Sequence, residues 1–268
     1  MPEHRNVDNF GDNYSSTHEA PLFEVHFRPG FSLSLVACQR PLQPSANLEE
    51  TDVAVNQTIA ADPAVEALVA PYRKEVTVKM SEVVGTAPVA LGKGDYESPL
   101  GNFVVDLQLA QSEPIYGKPI DLSITTEGGL RVPLPQGNIT TGHIFELMPF
   151  ENEMVVLTLS GKAVQQLFDD AAARKIIYIG NATYTVANGK AQDIKIKGQP
   201  FDPNKSYTLL TSDYLAGGGD KLDMLKNPLK YEKLGLLLRD AIHQQIQQLT
   251  AAGKQVTAPA GKRVTVIP

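Results

Sequence analysis

The first strong hydrophobic pattern in the chain has the spacing of a helix. Apolar side chains recur at steps of three and four residues, which places them on one face of an α-helix. They are Val65, Leu68, Val69, Tyr72, Val76, Met80 and Val83. The pattern predicts an amphipathic helix that begins near Pro63 and continues through Pro71. We expect its apolar face to pack on the body of the domain.

A second helix and a strand follow. The helix is predicted to open after Pro99. Its apolar face consists of Phe103, Val104, Leu107 and Leu109. Alternating side chains over Asp121–Thr125 predict a strand that runs into a turn at Glu127–Gly129. Because glycines let another molecule approach the backbone closely, this strand end is a favourable place for a ligand.

The patterns continue to alternate toward the C-terminus. Val155–Leu159 is predicted to be a strand, and a helix is predicted from Ser160–Gly161 through Phe168 and Ala172. Asp193–Lys197 is predicted to lead a hairpin into Ser206–Thr211. The last predicted elements are a helix over Leu234–Leu249, with Leu234, Leu238, Ile242, Ile246 and Leu249 on one face, and a strand over Val264–Ile267. Alternation of this kind predicts an α/β fold.

Composition narrows the classes of partner. The 268 residues are 42% hydrophobic, which is ordinary for a globular protein with a real core. A net charge of -6 and a pI of about 5.4 argue against a basic face for polyanions, so we expect no nucleic-acid partner. We also expect no transmembrane helix, since no apolar run approaches the roughly 18 residues that a bilayer requires.

The single cysteine lies in an N-terminal region whose composition differs from that of the rest of the chain. Residues 1–61 are polar and aperiodic, so we interpret them as a leader and flexible tether, and residues 62–268 as the folded domain. The run Phe31–Cys38 resembles a bacterial lipoprotein signal, in which Cys38 would carry the lipid. Because about 30 residues precede the run, a buried structural cysteine is the alternative. The first interpretation predicts a lipid-anchored protein at the periplasm or cell surface.

Patterns for metal and nucleophilic chemistry are not found. The five histidines are scattered, and none has the spacing of a metal-ligand pair. The sequence also contains neither a phosphate-binding P-loop nor a G-x-S-x-G nucleophile elbow. We therefore predict no catalytic residue, no metal site and no cofactor in this chain.

Four short blocks carry a family resemblance. They are Ser98–Asn102, Thr126–Arg131, Met148–Asn152 and Tyr214–Asp220. In order and spacing they resemble the C-terminal, substrate-binding domain of the 5'-nucleotidase family, over roughly residues 84–268. The resemblance implies an α/β (α+β) domain with a mixed sheet and flanking helices. The metallophosphatase domain that precedes it in the family has no counterpart in the sequence.

The resemblance also implies roles for particular residues. Phe150 and Tyr214 match an aromatic pair that sandwiches a base, and Asn152 matches a residue that hydrogen-bonds it. Asp220 matches the carboxylate that holds the ribose hydroxyls. Arg131 has the planar donor fork that suits phosphate or ribose oxygens. Asn102 belongs to the first block and is a sixth candidate for substrate binding.

Three departures from the family pattern concern phosphate recognition. Thr126 and Glu127 replace the usual first two residues of their block, and Glu127 would repel a phosphate unless it points away. Gly94 stands where the family has an arginine, although the neighbouring Lys93 offers a point charge. Lys221 replaces the glycine after the aspartate. Phosphate recognition is therefore less well supported than base stacking.

Two hypotheses follow from the sequence. In the first, the chain is the substrate-binding part of a nucleotidase and supports hydrolysis of nucleoside 5'-phosphates together with a separately encoded metallophosphatase, which would hold the divalent metals. In the alternative, it is a lipid-anchored ligand-binding or scaffold module that has lost hydrolysis. A third possibility, a complete hydrolase, lacks a visible place for two metals.

Overall fold

The structure, a computed structural model, describes residues 60–267, so Cys38 and nearly all of the predicted leader lie outside the described residues. The helices are α1 Pro63–Met80, α2 Pro99–Tyr116, α3 Thr141–Leu147, α4 Gly161–Arg174, α5 Asp213–Ala216 and α6 Leu238–Ala251. The strands are β1 Val83–Ala87, β2 Leu122–Thr126, β3 Gly137–Thr140, β4 Glu153–Ser160, β5 Ile177–Gly180, β6 Ala182–Ala187, β7 Lys190–Ile196, β8 Gln199–Pro200, β9 Ser206–Ser212, β10 Lys230–Leu237 and β11 Val264–Ile267.

A five-stranded mixed sheet forms the centre of the domain. Its order is β10-β4-β9-β2-β5, with β2 parallel to β9 and the other neighbours antiparallel. Successive residues of β4 enter different hydrophobic clusters, since Val156 belongs to one and Val155 and Leu157 to the other. Both faces of the sheet are therefore covered, as in other α/β domains. The predicted α/β fold with a mixed sheet and flanking helices is confirmed.

The predicted hairpin between Asp193–Lys197 and Ser206–Thr211 is wrong. Strand β7 pairs with β6 and β8 in a four-stranded sheet, whereas β9 pairs with β4 and β2 in the central sheet. The hairpin partner of β7 is β6, joined through Asn188–Gly189, and both residues have positive φ. An Asn-Gly pair is the usual signal for such a two-residue turn.

Helix α2 packs over the central sheet and forms much of its core. Ser98 caps the helix by accepting a hydrogen bond from the Gly101 N–H at 3.0 Å, and Pro99 occupies the first turn. The predicted apolar face is confirmed, because Phe103, Val104, Leu107 and Leu109 are all buried. Gly101 lies against the ring of Tyr178, which leaves no room for a side chain there.

The prediction for α1 is right about the helix and wrong about its packing. Asp62 caps it by accepting hydrogen bonds from Ala64 and Val65, and Val83 belongs to β1 instead. Among the described residues, none of those in α1 is buried. Leu68 is 70% exposed, Val65, Tyr72 and Val76 are each more than half exposed, and Val69 is 37% exposed. Helical spacing therefore predicted the helix, but most of its apolar face is exposed, and α1 meets α3 near its C-terminal end, at Met80.

The C-terminal helix begins later than predicted. Residues Lys230–Leu237 extend the central sheet as the edge strand β10, so Leu234 lies on a strand, and α6 starts at Leu238. A register irregularity near Gly235 interrupts the pairing, and Glu153 accepts the Gly235 N–H at 3.2 Å. The Lys233 ammonium, which donates to Glu153, holds the pKa of that carboxyl below its ordinary value. The predicted last strand, Val264–Ile267, is confirmed.

Within residues 60–267, none of the helices has the length and hydrophobicity that crossing a bilayer requires.

Candidate functional site

Five of the six predicted substrate-binding residues line one cavity. Its volume is about 270 Å³. The lining consists of Gly128, Gly129, Arg131, Phe150, Asn152, Tyr214 and Asp220. These residues come from three segments that are far apart in the sequence, so the fold has gathered them at one place. Ring faces, an amide, a carboxylate and a guanidinium therefore face the same space.

The first wall of the cavity is the turn after β2. Thr126 is buried at the end of that strand, and the Gly129 N–H donates to its carbonyl at 3.2 Å, which closes the turn. The Arg131 N–H donates to the Leu147 carbonyl at 2.9 Å and ties the turn to the end of α3. Arg131 also donates through a guanidinium nitrogen to the Gly128 carbonyl at 3.1 Å. The arginine is thus held at the cavity rim by its own loop.

The second wall is the loop between α3 and β4. Phe150 is 42% exposed although its backbone is anchored, which leaves a ring face available to a ligand. The buried Arg239 of α6 donates to the carbonyls of Pro149 and Phe150 at 3.3 and 3.4 Å. The Asn152 carbonyl accepts the Leu238 N–H at 2.9 Å, which anchors the backbone of a residue that lines the cavity. The beginning of α6 therefore positions this loop.

The third wall combines Tyr214 and Asp220. Tyr214 lies on α5, which Ser212 caps, and is 52% exposed. Its hydroxyl donates to Asp220 Oδ1 at 3.0 Å, while Thr126 Oγ1 donates to Asp220 Oδ2 at 2.6 Å. Asp220 therefore joins the third wall to the first. Half-exposed aromatic rings beside a fixed carboxylate suit a ligand with one flat apolar part and one hydroxylated part.

The charges near the cavity are partly paired with each other. Glu127, which sequence reasoning identified as a possible obstacle to phosphate, lies 3.8 Å from the Lys93 ammonium. Lys93 also donates to the Leu130 carbonyl at 3.1 Å. Neither side chain lines the cavity. Among the described residues that do line it, Arg131 is the only one with a positive charge.

Asn102 is the predicted residue that the fold does not bring to this cavity. It lies on α2 and is 7% exposed. Its side-chain nitrogen donates to Glu97 at 3.3 Å. In that position it supports the loop that precedes α2, and the cavity lining does not include it.

Sequence reasoning missed two residues that shape the cavity. Arg239 fixes the Phe150 loop, and Thr126 donates to Asp220, yet each acts on a residue roughly 90 positions away in the sequence. No local pattern indicates such a contact.

Other parts of the described chain are weaker candidates for a ligand site. A larger open cleft of about 610 Å³ lies between α2, β6 and the segment before β11, but its lining contains no aromatic side chain. The Arg263 side chain in this lining is 14% exposed and is already paired with Asp106 at 2.6 Å. Residues 60–267 also contain no group of three or more histidine, cysteine or acidic side chains placed to hold a metal ion.

Comparisons with known proteins agree with this geometry. The family described as "5'-nucleotidase, C-terminal domain" matches residues 83–227, which is more than half of the chain. Protein UshA of Yersinia enterocolitica is 28% identical over 256 residues, covering 90% of this chain and 46% of the relative. The silent protein UshA(0) of Salmonella typhimurium is 26% identical over 217 residues, covering 76% and 38%.

A comparison with a solved structure supports the same fold. The 5'-nucleotidase precursor from Thermus thermophilus superposes with a TM-score of 0.65 at 25% identity, over 76% of this chain and 43% of that protein. The chain thus spans less than half the length of the relatives it matches. Because the family model matches residues 83–227, the chain belongs to the 5'-nucleotidase C-terminal domain family.

Proposed function

We propose that this domain binds nucleotides or nucleosides and supports the hydrolysis of nucleoside 5'-phosphates together with a separate metallophosphatase. The observation that carries the proposal is the cavity, where Phe150 and Tyr214 stand beside Asn152, Asp220 and Arg131. Membership in a nucleotidase domain family supports the same chemistry.

Each group has a physical role in this proposal. Phe150 and Tyr214 stack on the base, a contact that contributes about 1–3 kcal/mol per stacked base. Asn152 reads the base edge through an amide that both donates and accepts. Asp220 accepts hydrogen bonds from the ribose hydroxyls. Arg131 holds an oxygen-rich group such as the 5'-phosphate.

The reacting groups come from the partner in this proposal. The partner supplies two divalent metal ions and the metal-bound nucleophile, while this chain positions the substrate. If Cys38 is lipidated, both proteins act on external nucleotides at the periplasm or cell surface.

Binding can be tested by calorimetric titration of AMP and adenosine into the full chain. We expect both ligands to bind, and we expect Phe150→Ala and Tyr214→Ala each to weaken binding about 10-fold or more, since each removes a stacking face. Tyr72→Ala is the matched control, because Tyr72 is an exposed tyrosine on α1, away from the cavity. Equal affinity in all three variants would show that this cavity does not bind the base.

The role in hydrolysis needs a second experiment. A candidate metallophosphatase is assayed on AMP alone, with the wild-type chain, and with Phe150→Ala. We expect the wild-type chain to raise kcat/KM and the variant to have little effect. No difference between the phosphatase alone and the mixture would contradict the proposed cooperation.

One observation favours the alternative of a non-catalytic binding module. Because Lys93 is engaged by Glu127 and Leu130, Arg131 is left to recognise a phosphate alone. A module of this kind binds the nucleoside and gains little from the phosphate. Adenosine binding as tightly as AMP, with no dependence on salt, favours it over the first proposal.

A further inference from the structure

The Asp220 carboxylate is fixed at both of its oxygens by hydroxyl groups of the protein. Tyr214 donates to Oδ1 at 3.0 Å and Thr126 donates to Oδ2 at 2.6 Å. An ionised carboxylate offers about four acceptor positions. Two are used in this way, so one further position remains on each oxygen, at the wall of the cavity.

The direction of the tyrosine hydrogen bond is set by a second contact. The Asp220 N–H donates to the Tyr214 hydroxyl oxygen at 3.3 Å. With that oxygen already accepting, its own hydrogen is directed at Asp220 Oδ1. The tyrosine therefore closes a small ring with both the backbone and the side chain of Asp220, and this contact limits rotation of the carboxylate.

The backbone of this loop is adapted to the same contact. Asp220 and Lys221 have φ of 52° and 62°, in the left-handed region that costs about 1 kcal/mol or more for residues other than glycine. A side chain at Gly219 would lie 2.5 Å from the Tyr214 ring. The loop thus passes directly against the ring, which brings the hydroxyl and the carboxylate together. Strained backbone of this kind persists where the surrounding contacts over-determine it.

We propose that the Tyr214 hydroxyl, acting with Thr126, is a specificity-determining group that positions Asp220 to accept two hydrogen bonds from the vicinal diol of a ribonucleoside. The proposal rests on the proposed function, since it requires that the cavity binds a nucleoside. It separates two roles of one side chain: the ring stacks on the base, and the hydroxyl selects the sugar.

The chemistry explains why the hydroxyl matters for selection. A carboxylate with one open position on each oxygen matches two adjacent O–H donors, whereas a deoxy sugar offers fewer donors and leaves a position empty. A phenylalanine at position 214 keeps the ring but frees Oδ1, so the carboxylate can turn and must be ordered by the ligand. Preorganisation of this kind adds affinity by removing that ordering step.

The test is the selectivity ratio, Kd for 2',3'-dideoxyadenosine divided by Kd for adenosine, measured by calorimetry on the full chain. We expect Tyr214→Phe to lower the ratio by ~5- to 10-fold, which corresponds to the net contribution of one typical hydrogen bond. The affinity for adenosine falls, while the affinity for dideoxyadenosine changes by less than about twofold because the ring is retained.

Three further variants provide controls. Thr126→Val removes the second hydroxyl and is expected to lower the ratio, whereas Thr126→Ser keeps the hydroxyl and is expected to preserve it. Tyr231→Phe removes a hydroxyl from a half-exposed tyrosine on β10 that does not line the cavity, and should leave both affinities unchanged.

The results distinguish a failure of this inference from a failure of the proposed function. Adenosine binding with an unchanged ratio in Tyr214→Phe overturns the inference and leaves the proposed function standing. An equal loss for both ligands shows a structural effect of the substitution and also overturns it. No binding of adenosine by the wild-type chain overturns the proposed function and the inference together.

Discussion

Helices α1 and α2 have nearly the same local design and opposite environments. Both are 18 residues long, both begin with a capping side chain followed by proline, and both contain an internal proline. Both carry apolar residues at helical spacing. Yet α2 buries ten residues, while within the described part of the chain α1 buries none.

The difference shows which interactions form a helix and which pack it against the rest of the domain. The cap formed by Asp62 and the ion pairs Glu66–Arg73 and Glu75–Lys79 are local to α1. Exposed pairs of this kind contribute little to stability, because water and salt screen the charges. Helix α2 adds packing against β2, β5 and α6, and most helical stability comes from such burial. We therefore expect α2 to be part of the global folding unit and α1 to respond only locally.

The largest expected effect comes from truncating a leucine on each helix. Leu100 is fully buried, so Leu100→Ala should lower the free energy of unfolding by about 2–5 kcal/mol. Leu68→Ala, on the exposed face of α1, should change it by less than about 0.5 kcal/mol. Urea denaturation followed by circular dichroism measures both. A loss at Leu68 comparable with that at Leu100 would mean that a partner or another segment covers α1.

A second substitution tests how closely α2 packs. An alanine Cβ at Gly101 would lie 2.4 Å from the Tyr178 ring, which is buried and whose hydroxyl donates to the Gly94 carbonyl. Gly101→Ala should cost about 1–3 kcal/mol through overpacking. Gly92→Ala is the control, because nothing lies within 4 Å of its added Cβ. Equal thermal midpoints for the two variants would contradict the close contact.

Removing the two caps should have a smaller and unequal effect. Ser98→Ala should cost about 1 kcal/mol of global stability, since α2 unfolds only with the domain. Asp62→Ala should leave the global midpoint unchanged and instead speed hydrogen exchange of the first-turn amides of α1, such as that of Val65. A global loss from Asp62→Ala would place α1 within the cooperative unit.

The smallest effect concerns the Glu66–Arg73 pair. Hydrogen bonding and charge from Arg73 lower the pKa of Glu66 below its ordinary value of 4.5. Because the folded pKa is the lower one, the pair stabilises α1 above pH 4.5, and this contribution is lost as the pH falls through the folded pKa.

Exchange of the α1 amides should therefore show an acid-dependent increase in opening that Arg73→Gln removes, with α2 unaffected. An identical acid response in wild type and Arg73→Gln would show that the pair does not stabilise the helix.

The sequence predicted the helices better than it predicted which strands pair. Periodicity and caps are local, so it placed the starts of α1, α2 and α4 close to those observed. The hairpin between Asp193–Lys197 and Ser206–Thr211 was wrong because two neighbouring strands need not share a sheet. The Asn188–Gly189 turn held the better signal, since two residues with positive φ favour a tight hairpin.

The candidate site shows the same difference between what local sequence patterns predicted and what only the structure revealed. Its aromatic, amide, carboxylate and guanidinium groups were all identified from four short blocks, and five of the six residues line one cavity. Asn102 belongs to a matching block but supports the loop before α2 instead. The hydrogen bonds that orient the site, from Arg239 to the Phe150 loop and from Thr126 to Asp220, had no sequence signal.

By itself, the sequence determined where α1, α2 and α4 begin and which chemical groups are available to a ligand, because caps, periodicity and short motifs act within a few residues. The tertiary structure decided that α2 is buried and α1 is exposed, that Lys93 pairs with Glu127, and that Tyr214 and Thr126 hold Asp220. The physical reason is distance along the chain. Burial and hydrogen bonds between residues far apart in sequence depend on how the sheets pair, and no local pattern records that pairing.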